Sequence, residues 1–204
     1  MAARTRRLAA AALAIGLLGG CAASKPMKYY RLTNVRDSAP AGEAEPLPIT
    51  LVVGTLTTSR MYREDRIVYG DGHEMGAYQY QRWADPPTEM IEQVLLRRLR
   101  SSGRYQAVYY KRSNTTGDYE LRGRLQDFHE VTGNPLRARM TLELELRDVK
   151  SGRTVWTHDY AHDEPVDKKD VHSVVAALDR NAQQAVSEVV ASLEQYFASR
   201  GAAR

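Results

Sequence analysis

One cysteine, Cys21, is all the sequence offers, so no disulfide can join two parts of the chain. The fold has to rest on an apolar core. Phenylalanine is nearly as scarce, with two copies against twelve tyrosines and two tryptophans. The aromatic complement therefore has polar ends, of the kind enriched where a surface is half wet and half buried. The longest apolar run, Leu8 to Leu18, falls short of the ~20 residues a spanning helix needs. No self-similar period of about 20 to 50 residues recurs, which excludes a repeat architecture. There is no Gly-x-Ser-x-Gly elbow, no Gly-x-Gly-x-x-Gly, no phosphate loop and no second cysteine for nucleophilic or redox work. An enzyme is not expected, and no cofactor is implied.

What is present begins at the N-terminus. Arg4-Thr5-Arg6-Arg7, the apolar run and Gly19-Gly20 have the form of a secretory signal. Leu18-Gly19-Gly20-Cys21 resembles a bacterial lipobox, in which the thiol is diacylated, the chain is cut before it and the new amine is acylated. The expected parts are a cleaved signal peptide (1–20), a short lipidated tether (21–28) and a single domain (29–200). Several acyl chains give effectively permanent attachment. The tether reaches no more than about 25 Å, so the domain sits close to its membrane. Under enteric-type sorting Ala22 is permissive for export, and the expected location is the periplasmic face of the outer membrane.

The chain carries a formal charge of +4, of which Arg4, Arg6 and Arg7 supply three, and residues 1–20 contain no acid. The mature domain is then nearly neutral and has no electrostatic footprint for nucleic acid.

Periodicity predicts a mixed α/β domain. Tyr29 to Thr33 is strand-like, and Asn34 to Pro48 is a loop. Ile49 to Leu56 is a β-branched apolar run of the kind covered on both faces, implying helices above and below. Arg66 to Tyr69 and Met75 to Tyr80 form a hairpin about Asp71-Gly72. Asp85 caps a helix with Pro86 at its first position, Glu89 in its first turn and Gly103 as terminator. Arg97, Arg98 and Arg100 suit the C-terminal end of its dipole; a headgroup patch is the sharper alternative. Tyr105 to Tyr110, Tyr119 to Val131 and Arg137 to Val149 are strands, the last alternating cleanly between a dry face and a wet one. Lys150 to Arg153 turns the chain into Thr154 to Tyr160 at the sheet edge. An amphipathic helix over Asp170 to Phe197 closes the chain as its longest element.

Tyr29-Tyr30-Arg31-Leu32 after the cysteine, Ile67-Val68-Tyr69, Gln81-Arg82-Trp83-Ala84-Asp85-Pro86 opening a helix, and the closing strand pair and long helix together resemble the ABC-type transport auxiliary lipoproteins, the PqiC-like family. The likeness runs across the mature chain in the family's order. It departs at Thr57-Thr58-Ser59 and Tyr62 to Arg66, and at Gly70, where arginine is common. The resemblance implies a three-layer α/β/α domain with a mixed sheet, similar to the N-terminal domain of TolB and the anticodon-binding-like folds. It also implies an accessory role beside an ABC permease, an ATPase and an MCE-domain substrate-binding protein, moving lipids or other hydrophobic molecules between the two membranes. A homo-oligomeric ring is consistent with it. The alternative is an envelope structural or peptidoglycan-associated lipoprotein.

Two clusters are candidates for contact or chemistry. Tyr62, Tyr69, Tyr78, Tyr80 and Trp83 concentrate around the expected hairpin and are read as a partner-binding surface, with Trp83 as core the competing assignment. His158, Tyr160 and His162 would share one strand face, the two histidines about 13 Å apart, too far for one metal ion unless the strand breaks at Ala161. Glu143 and Glu145 lie beside Arg139 and Arg147 on a wet face, where solvated ion pairs are the default.

Overall fold

A computed structural model describes residues 25–33, 45–111 and 115–201. Cys21, the lipobox and most of the expected Asn34 to Pro48 loop lie outside the described residues. In chain order the elements are β1 (Lys28–Tyr30), β2 (Leu47–Thr58), β3 (Arg66–Gly70), β4 (Met75–Trp83), α1 (Pro87–Ser101), β5 (Tyr105–Tyr110), β6 (Tyr119–Val131), β7 (Arg137–Asp148), β8 (Thr154–Pro165) and α2 (Val171–Gly201). A 3₁₀ turn, Arg60–Tyr62, stands between β2 and β3.

The alternation along β7 is realised in full: Ala138, Met140, Leu142, Leu144 and Leu146 are at most 2% exposed, while the residues between them reach solvent. Their dry face meets α2, whose stripe Val174, Leu178, Ala182, Ala185, Val186, Val189, Leu193 and Phe197 belongs to the same core. Removing this interlocked apolar face from water stabilises the fold by about 25 cal/mol per Å2.

β6 organises the mixed sheet. Along one edge it pairs antiparallel with β7, from Tyr119 opposite Asp148 to Val131 opposite Arg137. Along the other it takes two parallel partners in succession, β2 beside Tyr119 to Leu125 and β3 beside Glu130 and Val131. The chain thus follows one edge of β6 in two steps and leaves it at the 3₁₀ turn, opposite a register shift between Leu125 and Asp127. β5 flanks β2 in parallel, β4 flanks β3 antiparallel, β1 adds to β4 in parallel, and β8 pairs β7 alone.

The mixed α/β layering is as expected, but among the described residues both helices lie on one face of the sheet, in place of helices above and below β2. α1 packs on β2 and β5, α2 packs on β6, β7 and β8, and the two helices touch each other. Of β2, Leu51, Val53 and Leu56 join the helix-side core. On the opposite face Val52 is buried too, but the 3₁₀ turn is the one helical element there among the described residues.

Several boundaries differ from the sequence reading: β1 is Lys28–Tyr30 rather than Tyr29 to Thr33, β2 runs Leu47–Thr58 and so begins before Pro48 and ends beyond Leu56, and α2 continues to Gly201. Helix α1 starts at Pro87, with Pro86 as the flanking residue at φ −52°, ψ 142° and no side-chain cap, so Asp85 is not the cap. A residue preceding proline is driven out of the helical region, and Pro86 precedes Pro87. β4 continues to Trp83, and β8 runs to Pro165 because β7 supplies backbone partners along its whole length, Arg137 opposite Pro165. The hairpin turn forms as read: Gly72 has φ +99°, and Asp71 Oδ1 accepts from the amides of His73 and Glu74 at 3.0 and 3.1 Å.

Candidate functional site

The structure divides the five aromatic candidates into two inside and three outside. Trp83 is fully buried, its ring 5.5 Å from that of Phe128 in the core beneath α1. Its place at the end of β4 follows from the hydrogen bond of its amide to the Asp65 carbonyl, 2.7 Å. Tyr62 is 4% exposed, and its hydroxyl shares a hydrogen bond of 2.8 Å with Nδ1 of His129. The 3₁₀ turn inserts this ring into the gap that β2 and β3 leave beside β6. Burial, then the Asp127 carboxylate, pushes the Tyr62 phenol up to about 12. His129 is 3% exposed and its imidazole is held below its usual value, by burial first. Neither Trp83 nor Tyr62 faces outward as a contact residue would.

Tyr69, Tyr78 and Tyr80 do reach the surface. Tyr69 is 36% exposed and meets Tyr78 edge-on with centroids 5.0 Å apart. A Cβ on Gly76 would lie 2.5 Å from the Tyr69 ring, so the missing side chain there is what lets Tyr69 lie across β4. Tyr78 donates to Glu130 Oε2 at 2.5 Å, and Glu130 is buried. Burial and that hydrogen bond raise the Tyr78 phenol. Tyr80 is half-buried, with the Lys25 ammonium 5.4 Å above its ring. The hairpin thus groups three partly exposed tyrosine rings, and Glu130 fixes the hydroxyl of Tyr78.

A second feature lies on the wet face of β2, β6, β7 and β8, an open groove of about 460 Å3 lined by Thr55, Thr57, Arg122, Arg124, Glu143, Glu145, Thr157 and Asp159. Strand pairing sets these groups in rows: Arg122 opposite Glu145 opposite Thr157, and Arg124 opposite Glu143 opposite Asp159. Arg122 Nε binds Glu145 Oε1 at 2.7 Å and Thr154 donates to Glu145 Oε2 at 2.7 Å. The Thr154 hydrogen bond, then Arg122, holds the Glu145 carboxyl below its usual range. Such a carboxylate accepts hydrogen bonds and does not deliver a proton near neutral pH. Glu143 accepts from Gln126. The groove offers polar recognition.

β8 does not break at Ala161. His158 and His162 stay on one face of a continuous strand, His158 stacked on Trp156 and His162 beside Glu164. Among the described residues no group of three or more metal-binding side chains converges. Arg98 donates to Ser187 on α2 and Arg100 to the Val108 carbonyl, so both serve the packing of α1.

Sequence reasoning missed the buried carboxylate Glu92. It reaches from α1 to accept from the Leu56 amide at 2.6 Å and from the Tyr110 hydroxyl, tying helix, central strand and edge strand together. Its only signal was an acid at a core-facing helical position.

Protein XCC0632 from Xanthomonas campestris, of the DUF330 family, has a solved structure that covers 85% of this chain and 99% of its own at 23% identity, with a TM-score of 0.73. Another solved structure, of an uncharacterized protein, covers 83% of this chain and 99% of its own at 14% identity, with a TM-score of 0.65. At these identities the likeness speaks for the fold alone. No curated protein matches the chain. The family described as ABC-type transport auxiliary lipoprotein component matches residues 30–190, from the end of β1 well into the closing helix α2. The chain belongs to that family of ABC-type transport auxiliary lipoprotein components.

Proposed function

We propose that this chain is a lipid-anchored periplasmic accessory subunit of an ABC/MCE-type transport system, moving lipids or other hydrophobic molecules between inner and outer membranes by binding and scaffolding rather than catalysis. The observation that carries the reading is the family match across residues 30–190, joined to a lipobox-like Leu18 to Cys21. Family membership associates the chain with a transport system at the cell envelope. The partly exposed rings Tyr69, Tyr78 and Tyr80 are the proposed contact with the MCE-domain protein, while Tyr62 and Trp83 are buried and are not part of it. Acyl chains on Cys21 hold the domain to the periplasmic face of the outer membrane.

The test is co-purification from the native host with the permease, ATPase and MCE protein, using wild type and a Tyr69→Ala/Tyr80→Ala variant. Circular dichroism and melting should be unchanged in the variant, and partner capture lost. Capture equal to wild type removes the tyrosine surface from the reading; absence of any transport component with wild type removes the accessory role. On density gradients the mature protein should travel with outer-membrane markers, and recovery with inner-membrane markers would refute that location.

A further inference from the structure

We propose that β1 and the residues leading into it form a docking surface for an anionic bilayer leaflet, so that the domain lies on the membrane in one orientation. The proposal rests on the reading of Cys21 as the lipid-bearing residue. Residues 25–33 read Lys-Pro-Met-Lys-Tyr-Tyr-Arg-Leu-Thr, three cations and no acid. Met27 is 42% and Tyr29 65% exposed, and Tyr29 is the most exposed large apolar side chain of the described residues. Tyr30, its neighbour on the opposite face, packs against the core, so Tyr29 points away from it by strand alternation. Lys28 and Arg31 are exposed as well.

This surface is fixed to the domain. Lys28, Tyr29 and Tyr30 pair with Gln81, Arg82 and Trp83, and the Ala84 amide donates to the Tyr30 carbonyl at 2.6 Å. Thr33 donates from its amide and its hydroxyl to Asp179 of α2, at 3.0 and 2.6 Å, and accepts from Gln183 at 2.8 Å. Lys25 rests over Tyr80. β1 ends the sheet path, with β4 its one partner.

The occupant follows from where the chain leads. Three residues, Ala22 to Ser24, separate Lys25 from Cys21, at most about 14 Å of extended chain, so an acylated Cys21 keeps Lys25, Lys28 and Tyr29 within reach of the headgroups. Tyrosine settles at headgroup level with its ring toward the acyl boundary, and Lys and Arg side chains reach out to lipid phosphates while their stems cover apolar surface. Each cation near an anionic surface strengthens attraction several-fold, so three together contribute roughly a hundredfold. The bilayer would then set β4 and its hairpin next above the leaflet and hold the domain by its edge rather than letting it swing on a tether.

The experiment uses the full chain as processed in its host, reconstituted in vesicles of phosphatidylethanolamine with phosphatidylglycerol. Because Cys21 is the single cysteine and acylation blocks its thiol, Tyr29→Cys and Tyr109→Cys each give one position for a fluorophore. Tyr109 is exposed on β5, at the other end of the sheet path. Quenching by bilayer-embedded nitroxide lipids is expected at position 29 and not at 109. It should vanish in phosphatidylcholine vesicles and in a Lys25→Glu/Lys28→Glu/Arg31→Glu background, while the acyl chains still keep the protein on the vesicle. Equal quenching at both positions, or none at 29 in vesicle-bound protein, overturns the docking surface. So does protection of position 29 that appears only when the transport partners are co-reconstituted, which marks a protein interface. A second label on Cys21 would show the anchor reading wrong. Unacylated protein is then sedimented with the same vesicles: binding lost by the triple reversal supports the surface, and no binding overturns it.

Discussion

At the scale of residues, the buried pair Tyr62 and His129 ties stability to pH. Unfolded histidine titrates near 6.5, and burial holds the folded His129 imidazole below that value. Below 6.5 the unfolded chain therefore binds more protons than the folded one, so stability is whole above that pH and declines as pH falls toward the depressed folded value. The urea midpoint should drop between about pH 7 and pH 5 in wild type and drop less in His129→Asn, which keeps an acceptor near Nδ1 without the titration. Gly123 makes a different demand. A Cβ there would land on the Glu143 carbonyl oxygen of β7 and crowd Leu144. Gly123→Ala should cost about 1 to 3 kcal/mol in urea unfolding, from forced separation of two strands at the centre of the sheet. The burial of Trp83 was legible, since its motif opens a helix and an indole there has a core to fill. That of Tyr62 was not: its neighbours Arg60, Arg63 and Glu64 are polar, and the cavity that receives it exists only once β2 and β3 share the edge of β6.

At the scale of elements, local pattern and tertiary pairing can be told apart. β5 and β6 have the bounds that their apolar spacing predicts, with buried positions at Tyr105 and Val108 in the one and at Leu121, Leu125 and Phe128 in the other. β8 outruns its prediction because His158 to Glu164 carries little apolar patterning, and its backbone is ordered instead by the β7 ladder. The one-residue shift at the start of α1 arises because Pro86, itself suited to open a helix, is followed by Pro87, which holds it in an extended conformation. The long closing helix was readable from its stripe, and the polar residue within that stripe explains its register on the sheet. Asn181, fully buried, donates to the carbonyls of Ala138 and His162, each at 3.0 Å, and accepts from Tyr160 at 2.6 Å. Asn181→Ala strands those groups away from water and should cost roughly 2 to 4 kcal/mol, read from the midpoint of urea unfolding.

At the scale of the molecule, the two ends of the described chain are joined. Thr33, just after β1, and Asp179, in α2, lie 146 residues apart in sequence and share two hydrogen bonds. This closure is peripheral to the core, so Asp179→Ala should raise hydrogen exchange at residues 28–33 while moving the melting temperature by no more than about 2 to 4 °C. A rise spread over the sheet would show that the closure governs global stability. The α/β class was legible because alternating strands and two amphipathic helices leave few other arrangements. The placing of both helices on one face was not, since the near-continuous apolar run in β2 reads as covered by helices on both sides although its far face has one short 3₁₀ turn among the described residues.

The Thr33 closure also bears on how the molecule carries force. Tension arriving through the leader enters β1 at Lys28, beyond which stand three parallel rungs to β4 and then the Asp179 staple. Traction along the strand axis must shear those rungs together before the load reaches the helix, whereas a free end would unzip one bond at a time. Load applied at the N-terminal end is in this way passed to the longest helix, through the Thr33–Asp179 pair, and not left on a lone edge strand.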